Sequence, residues 1–366
     1  MLVYVVIAWI GGVVGVAAAP VSVPVPVPAS FIFGDSLADA GNNNHLQYAL
    51  AKANFPWYGI DYHAGVATGR FTNGRTIGDI IMEKLGLANP KPYLSLSRND
   101  SSILRGVNYA SGGGGILNET GFLFIERLSF DKQIEYFEAT KGAIEKKIGA
   151  REAEKLCNEA LYFIGMGSND FINNYLLPVA TDAQKYTPRS FINLLTSTLT
   201  KQLTRLHELG ARKIVYHGVG PLGCIPSQRY KSGTNETCVK TLNALIVDFN
   251  DSVQKLLYRL NSHLHGVKIT YADTYSMVMK LIQNPQQYGF KDAKVPCCNV
   301  DTSFGQLCLP NSNLCTDRQH HVFWDAFHPT DAANAILAQD LLSHPDIMQY
   351  TNKPAATAPA PAPTAL

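Results

Sequence analysis

The strongest constraint in this sequence is a repeated unit. A short, mostly apolar run stops at a turn bearing Gly or Asp, and a long amphipathic stretch follows. Phe31-Ile32-Phe33, Ala160–Ile164, Lys213–Tyr216 and Val267–Tyr271 are the runs, rich in β-branched and aromatic residues. Segments of that kind read as strands buried on both faces. They end at Gly34-Asp35-Ser36, at Gly165 through Asp170, at Gly218-Val219-Gly220-Pro221 and at Ala272-Asp273-Thr274. Between them, Leu242, Leu245, Ile246, Phe249, Val253, Leu256, Leu257 and Leu260 are spaced one, three or four apart, an apolar stripe on one helix face. Ser190 to Leu209 behaves the same way and stops at Gly210, a C-cap residue. A last helix runs from about Thr330 to Leu342. Strand, turn, helix, strand without internal repeat predicts an α/β layer fold with a mostly parallel sheet. No linker interrupts residues 29–350, which are expected to form one domain.

The chain has 366 residues with 31 Lys+Arg against 29 Asp+Glu, a formal charge of +2. So even a balance excludes an electrostatic nucleic-acid binder, which needs a basic excess against phosphates. A hydrophobic content of 46% excludes a disordered chain. Residues 1–19 carry no charge and end in Ala17-Ala18-Ala19-Pro20, which predicts a cleaved signal peptide. Gly11, Gly12 and Gly15 argue against an anchor, and an uncleaved segment would be the chain's one membrane contact. Residues 20–28 form a Val/Pro linker held extended by proline, and the Ala/Pro-rich tail, 351–366, is expected to be disordered.

Seven cysteines fit a secreted, extracellular protein. Cys297, Cys298, Cys308 and Cys315 crowd into a polar segment, which suits two disulfides, with Cys224–Cys238 as a third and Cys157 left over. The competing reading, structural zinc, lacks paired C-x-x-C spacing. Sequons at Asn99, Asn118, Asn235 and Asn250 offer N-glycosylation sites.

Reactive groups of an open α/β sheet gather at the carboxyl ends of its strands. Ser36 sits there, either as an N-cap or as a nucleophile. A serine hydroxyl attacks only when a base takes its proton, and an imidazole base needs a carboxylate to hold it. Asp325 and His328, three apart and followed by Pro329, supply that pair; the alternative is a surface ion pair. Two segments suit an oxyanion hole: Gly106 through Gly115, which exposes backbone N–H groups, and Gly165 through Asp170, which places the Asn169 amide at a strand end. A phosphate loop is excluded, because neither G-x-x-x-x-G-K-[ST] nor G-x-G-x-x-G is present at these glycines.

Seven blocks occur in order: Phe33-Gly-Asp-Ser-Leu37, Gly41-Asn-Asn-Asn44, Thr68-Gly-Arg-Phe-Thr-Asn-Gly74, Gly106-Val-Asn-Tyr-Ala-Ser-Gly112, Gly167-Ser-Asn-Asp170, Gly220-Pro-Leu-Gly-Cys224 and Asp325-Ala-Phe-His-Pro329. Together they resemble the plant GDSL-type esterase/lipase family of SGNH hydrolases, over nearly the whole span from Phe31 to Leu342. The resemblance implies a flavodoxin-like three-layer α/β/α sandwich, no metal and no cofactor. It implies Ser36 as nucleophile, His328 as base and acid, and Asp325 as its orienting partner. The oxyanion hole would be the Ser36 N–H, the Asn169 side chain and the Gly112 N–H, or Gly113 if the turn is shifted by one. The expected substrate is an acyl ester or lipid, cleaved through an acyl-enzyme or passed to another alcohol; a cell-wall binding protein without turnover is the non-enzymatic alternative. Phe55, Trp57, Tyr58, Phe122 and Phe124 either line an acyl groove or pack.

Overall fold

The computed structural model describes residues 27–233, 237–299, 307–348 and 350. The expected signal peptide, most of the Val/Pro linker, the sequon at Asn235 and the Ala/Pro tail lie outside the described residues.

Six parallel strands form the central sheet: β1 (Ser30–Gly34), β2 (Lys91–Pro92), β3 (Gly106–Asn108), β4 (Leu161–Gly165), β5 (Lys213–His217) and β6 (Lys268–Ala272). Their spatial order is β2-β3-β1-β4-β5-β6. The register aligns Gly34 with Gly165 and Gly165 with His217, so the strands end level. Side chains alternate across the sheet. Phe31, Phe33, Tyr162, Ile164, Ile214 and Tyr216 pack on one face against the helices Phe130–Ile148, Pro188–Glu208 and Lys240–His263. Ile32, Leu161, Phe163 and Val215 pack on the other against the helices Ile77–Leu85 and Asp331–Leu342. These are the three layers of an α/β/α sandwich. Because apolar side chains cover both faces, each strand reads as continuously apolar rather than alternating.

The chain leaves β1 toward the helix Ile77–Leu85 on one face, while β3 and β4, its neighbours, lead to helices on the other. Loops diverging in this way open a crevice at the carboxyl ends, where α/β sheets bind ligands. The four strands and three helices read from periodicity are present within one or two residues. β2, β3 and the helices Ile77–Leu85, Phe130–Ile148 and Ala150–Glu159 are additional. No helix starts at Ser36: a single turn follows β1, and residues 37–76 run as irregular backbone with short 3-10 turns.

Disulfides join Cys224 to Cys238, Cys297 to Cys315 and Cys298 to Cys308, and Cys157 is a buried free thiol. Two of the three close the loop carrying an antiparallel ribbon, β7 (Cys298–Asn299) with β8 (Asn313–Leu314). No helix among the described residues is long and apolar enough to cross a membrane.

Candidate active site

Ser36 owes its position to the residues on either side. Gln133, from the helix Phe130–Ile148, clamps the end of β1: its Oε1 accepts the Gly34 N–H at 3.0 Å and its Nε2 donates to Gly34 O at 2.8 Å. A Cβ on Gly34 would lie 3.1 Å from Gly165 O and from Ala38 Cβ, a tight fit that the absence of a side chain relieves where the turn runs close to β4. Asp35 Oδ1 accepts the Leu37 N–H at 3.0 Å. The capping role open to Ser36 is therefore filled by Asp35, and the Ser36 hydroxyl turns elsewhere.

It turns to His328, whose Nε2 lies 2.8 Å from Ser36 Oγ. Nδ1 of the same ring lies 2.8 Å from both carboxylate oxygens of Asp325. Asp325 also turns its own backbone, its Oδ1 accepting the N–H groups of Phe327 and His328 at 2.8 Å each. Trp324 N–H donates to His328 O at 2.7 Å, closing the loop. Asp325 is 0% exposed and His328 4%, which rules out a surface ion pair. A buried carboxylate must be matched by donors, and one more arrives from a distance: Tyr58 O–H donates to Asp325 Oδ2 at 2.7 Å. Burial, and then the Asp325 charge, push the Tyr58 pKa well above its usual 10, so the phenol stays protonated and donating.

Of the expected oxyanion donors, Ser36 and Asn169 line one cleft, as does the alternative Gly113. Asn169 Nδ2 donates to Gly114 O at 2.8 Å, and its Oδ1 accepts from Asn173 Nδ2 at 2.6 Å. Both contacts fix the amide plane and leave the second Nδ2 hydrogen for a ligand. Gly112 N–H, however, is engaged by Asp39 Oδ2 at 3.0 Å. Gly113 instead borders the 230 Å³ cleft that also takes in Ser36, Asn169 and His328. The sequence could place the glycine run but not the direction of each peptide plane within it.

Two buried carboxylates hold that run. Asp39 accepts the N–H groups of Gly41, Asn42 and Gly112. Asp170 accepts those of Ile116 and Leu117 and the hydroxyl of Thr120. Burial raises each pKa from 3.8 to about 6. The Gly41–Asn44 block serves the same loop: Asn42 Nδ2 donates to the carbonyls of Asn108 and Ala110, and Asn43 Nδ2 to that of Gly112. Arg70 forms a buried ion pair with Asp79 at 2.7 Å and donates to Ala40 O, tying the Thr68–Gly74 block to the same region. From the second block Phe71 also lines the cleft, its ring 5.2 Å from that of His328.

The five aromatic candidates divide. Phe124 lines the cleft. Tyr58 is buried on Asp325, Phe55 packs edge-on against Tyr58, and Trp57 Nε1 donates to Pro310 O, so these three are structural. Phe122 is 42% exposed beside the cleft-lining Leu123. Among the sequons, Asn99 and Asn118 are exposed, whereas Asn250 is buried with both ends of its amide bonded to the backbone of Val219. In the folded chain the Asn250 amide is therefore turned away from solvent, unlike those of Asn99 and Asn118.

The fold is thus a parallel α/β sheet with a serine, an imidazole and a carboxylate in hydrogen-bonding reach at its carboxyl edge. The chain belongs to the GDSL-like lipase/acylhydrolase family, whose model matches residues 31–341. It is 60% identical to GDSL esterase/lipase At5g37690 of Arabidopsis thaliana over 86% of this chain and 88% of that protein. With GDSL esterase/lipase At1g74460 of the same plant it shares 48% identity over 91% of each. It is, like them, a carboxylic ester hydrolase. A solved carbohydrate esterase aligns with 68% of this chain and 60% of its own at 13% identity and a TM-score of 0.34, too slight a likeness to argue from.

Proposed function

We propose that the protein is a secreted serine esterase that cleaves acyl or lipid esters through a covalent intermediate on Ser36. The observation that carries this reading is the unbroken row Ser36–His328–Asp325, with each contact at 2.8 Å. His328 Nε2 takes the hydroxyl proton as Ser36 Oγ attacks the ester carbonyl. Asp325 stabilises the imidazolium that results. The oxyanion forms against the Ser36 N–H, the Gly113 N–H and the Asn169 amide, donors each worth on the order of 3–4 kcal/mol in the transition state. The imidazolium then protonates the departing alkoxide. Water, with its proton taken by His328, attacks the acyl-enzyme, and the proton returns to Ser36 as the acid leaves.

Secretion is supported by the uncharged, Ala-terminated residues 1–19 and by three disulfides. Ser36→Ala tests the reading. Ester turnover and covalent capture by a fluorophosphonate are both expected to disappear. A variant that keeps either would remove Ser36 from the mechanism. Running the assay with and without an alcohol acceptor separates hydrolysis from acyl transfer, since both share the acyl-enzyme.

A further inference from the structure

A second cavity, of 130 Å³, lies behind the cleft that holds Ser36. Its floor is the end of the sheet, from Ile32 of β1, Phe163 of β4 and His217 of β5, and its far wall comes from Ile81, Val278 and Leu337 on three helices. It shares a wall with the cleft. Asp35, Leu37, Ser168, Leu222, Ile225 and Phe327 border both cavities. Leu37 and Phe327, the chain neighbours of Ser36 and His328, stand in that shared wall, beside the hydroxyl and the imidazole.

The lining is almost wholly aliphatic and aromatic. The one imidazole in it, His217, is held neutral by burial, which lowers its pKa to about 4. Protein interiors pack to crystal density and do not leave a channel of this size beside a reactive group without an occupant.

Direction is decided by the tetrahedral carbon that forms on Ser36. Besides Oγ it carries three arms. The oxyanion points to Gly113 and Asn169, both in the open cleft. The leaving oxygen must lie near His328 Nε2 to be protonated, also on the cleft side. The third arm is the acyl chain, and of the two adjoining spaces the second cavity is the more uniformly apolar. Resting on the esterase reading above, we propose that this cavity is the acyl-chain site, entered between Leu37 and Phe327, and that it selects aliphatic acyl groups while the alcohol portion stays in the open cleft. The chain carbons then replace the missing packing, and the hydrophobic effect drives them in.

Two substitutions fill the cavity from opposite walls. Val278→Phe adds bulk from a helix. Gly220→Leu adds it from the loop after β5, where a Cβ would meet nothing nearer than Val278 Cγ2 at 4.0 Å. With p-nitrophenyl esters, which keep the leaving group constant, the octanoate-to-acetate ratio of kcat/KM is expected to fall at least tenfold in each variant. Either variant alone decides the matter if the other fails to fold. An unchanged ratio in a folded variant overturns the assignment. A direct view comes from the Ser36 adduct with an octyl fluorophosphonate: electron density for the octyl chain among Val278, Ile81 and Phe163 supports the site, and density in the cleft refutes it. These outcomes are distinct from failure of the esterase reading, in which the wild-type enzyme would cleave neither ester and would form no adduct.

Discussion

Tyr58 O–H and Asp325 Oδ2 are 2.7 Å apart across 267 residues of sequence, and the same phenol oxygen accepts the Cys308 N–H at 2.9 Å. The carboxylate behind His328 is thus held from two directions: by the turn it makes in its own backbone, and by a tyrosine fixed to a disulfide-closed loop. Tyr58→Phe removes one donor from a buried charge and leaves the Cys308 N–H unpaired. A hydrogen bond to a charged group is worth about 1.5–3 kcal/mol, so kcat is expected to fall roughly tenfold or more with KM little changed. A variant in which KM rises and kcat holds would make Tyr58 a substrate contact instead.

The disulfide Cys298–Cys308 is part of the same support, since Cys298 N–H donates to Trp324 O at 2.7 Å, one residue before Asp325. Cys298→Ser with Cys308→Ser is expected to lower kcat and to cost roughly 2–3 kcal/mol of stability, a typical loss for a short disulfide loop. Removing Cys224–Cys238 instead, which closes a segment that meets this turn through the Ser227 N–H on Ala326 O at 3.0 Å and, among the described residues, has no bond to Tyr58, should cost stability with less effect on kcat. Equal effects on kcat from the two pairs would mean that the disulfides act only through global stability.

Asn169→Ala separates oxyanion stabilisation from substrate binding. The donor acts chiefly in the transition state, so kcat is expected to drop by about two to three orders of magnitude while KM moves little. Stopped-flow acylation with a chromogenic ester reads this directly; a change confined to KM would assign Asn169 to substrate positioning.

Four strands and the helices Pro188–Glu208, Lys240–His263 and Asp331–Leu342 were legible because burial on both faces of a sheet and on one stripe of a helix leaves periodic marks. β3 left none: three residues beginning with Gly106 inside a glycine-rich run carry too little side chain to show a period. Ser36, Asp325, His328 and Asn169 stood out through chemistry and resemblance to a family, since a nucleophile, a base and an amide at strand ends are recognisable types. Tyr58, Asp39 and Gln133 were not legible as supports. Each acts on a backbone or side chain far along the sequence, and nothing local distinguishes a tyrosine that packs from one that bonds a buried carboxylate. The engagement of the Gly112 N–H was illegible for the same reason, since its partner is an aspartate 73 residues away.

Asp39 makes the glycine loop sensitive to pH in a direction that can be worked out. Burial raises its pKa from 3.8 to about 6, so between these values the native state keeps a proton that the unfolded chain has lost. The stabilisation linked to that proton is fully present below the unfolded value and is lost as pH rises through about 6. Asp39→Asn does not titrate. Measured by urea unfolding at about pH 4 and about pH 7, the stability of wild type relative to Asp39→Asn is therefore expected to decline with rising pH, by on the order of 3 kcal/mol. A difference that grows with pH would mean that the three N–H donors favour the ionised form more than burial disfavours it.

Asn250 offers a test in which structure and sequence motif make opposite demands. As a sequon it should carry a glycan; as a buried amide it should hold the loop after β5, donating to Val219 O at 2.8 Å and accepting the Val219 N–H at 2.9 Å. Asn250→Gln keeps the amide but moves it by one methylene, so both bonds are lost inside a packed helix face. The variant secreted from a plant host is expected to have the same glycan mass as wild type and to be less stable by roughly 2–3 kcal/mol, the cost of buried polar groups left unpaired. Asn118→Gln, at an exposed position, should do the reverse if that sequon is used, lowering glycan mass with little change in stability. A glycan lost from Asn250→Gln would show that the polypeptide is modified before this helix packs, and would return Asn250 to the surface sites.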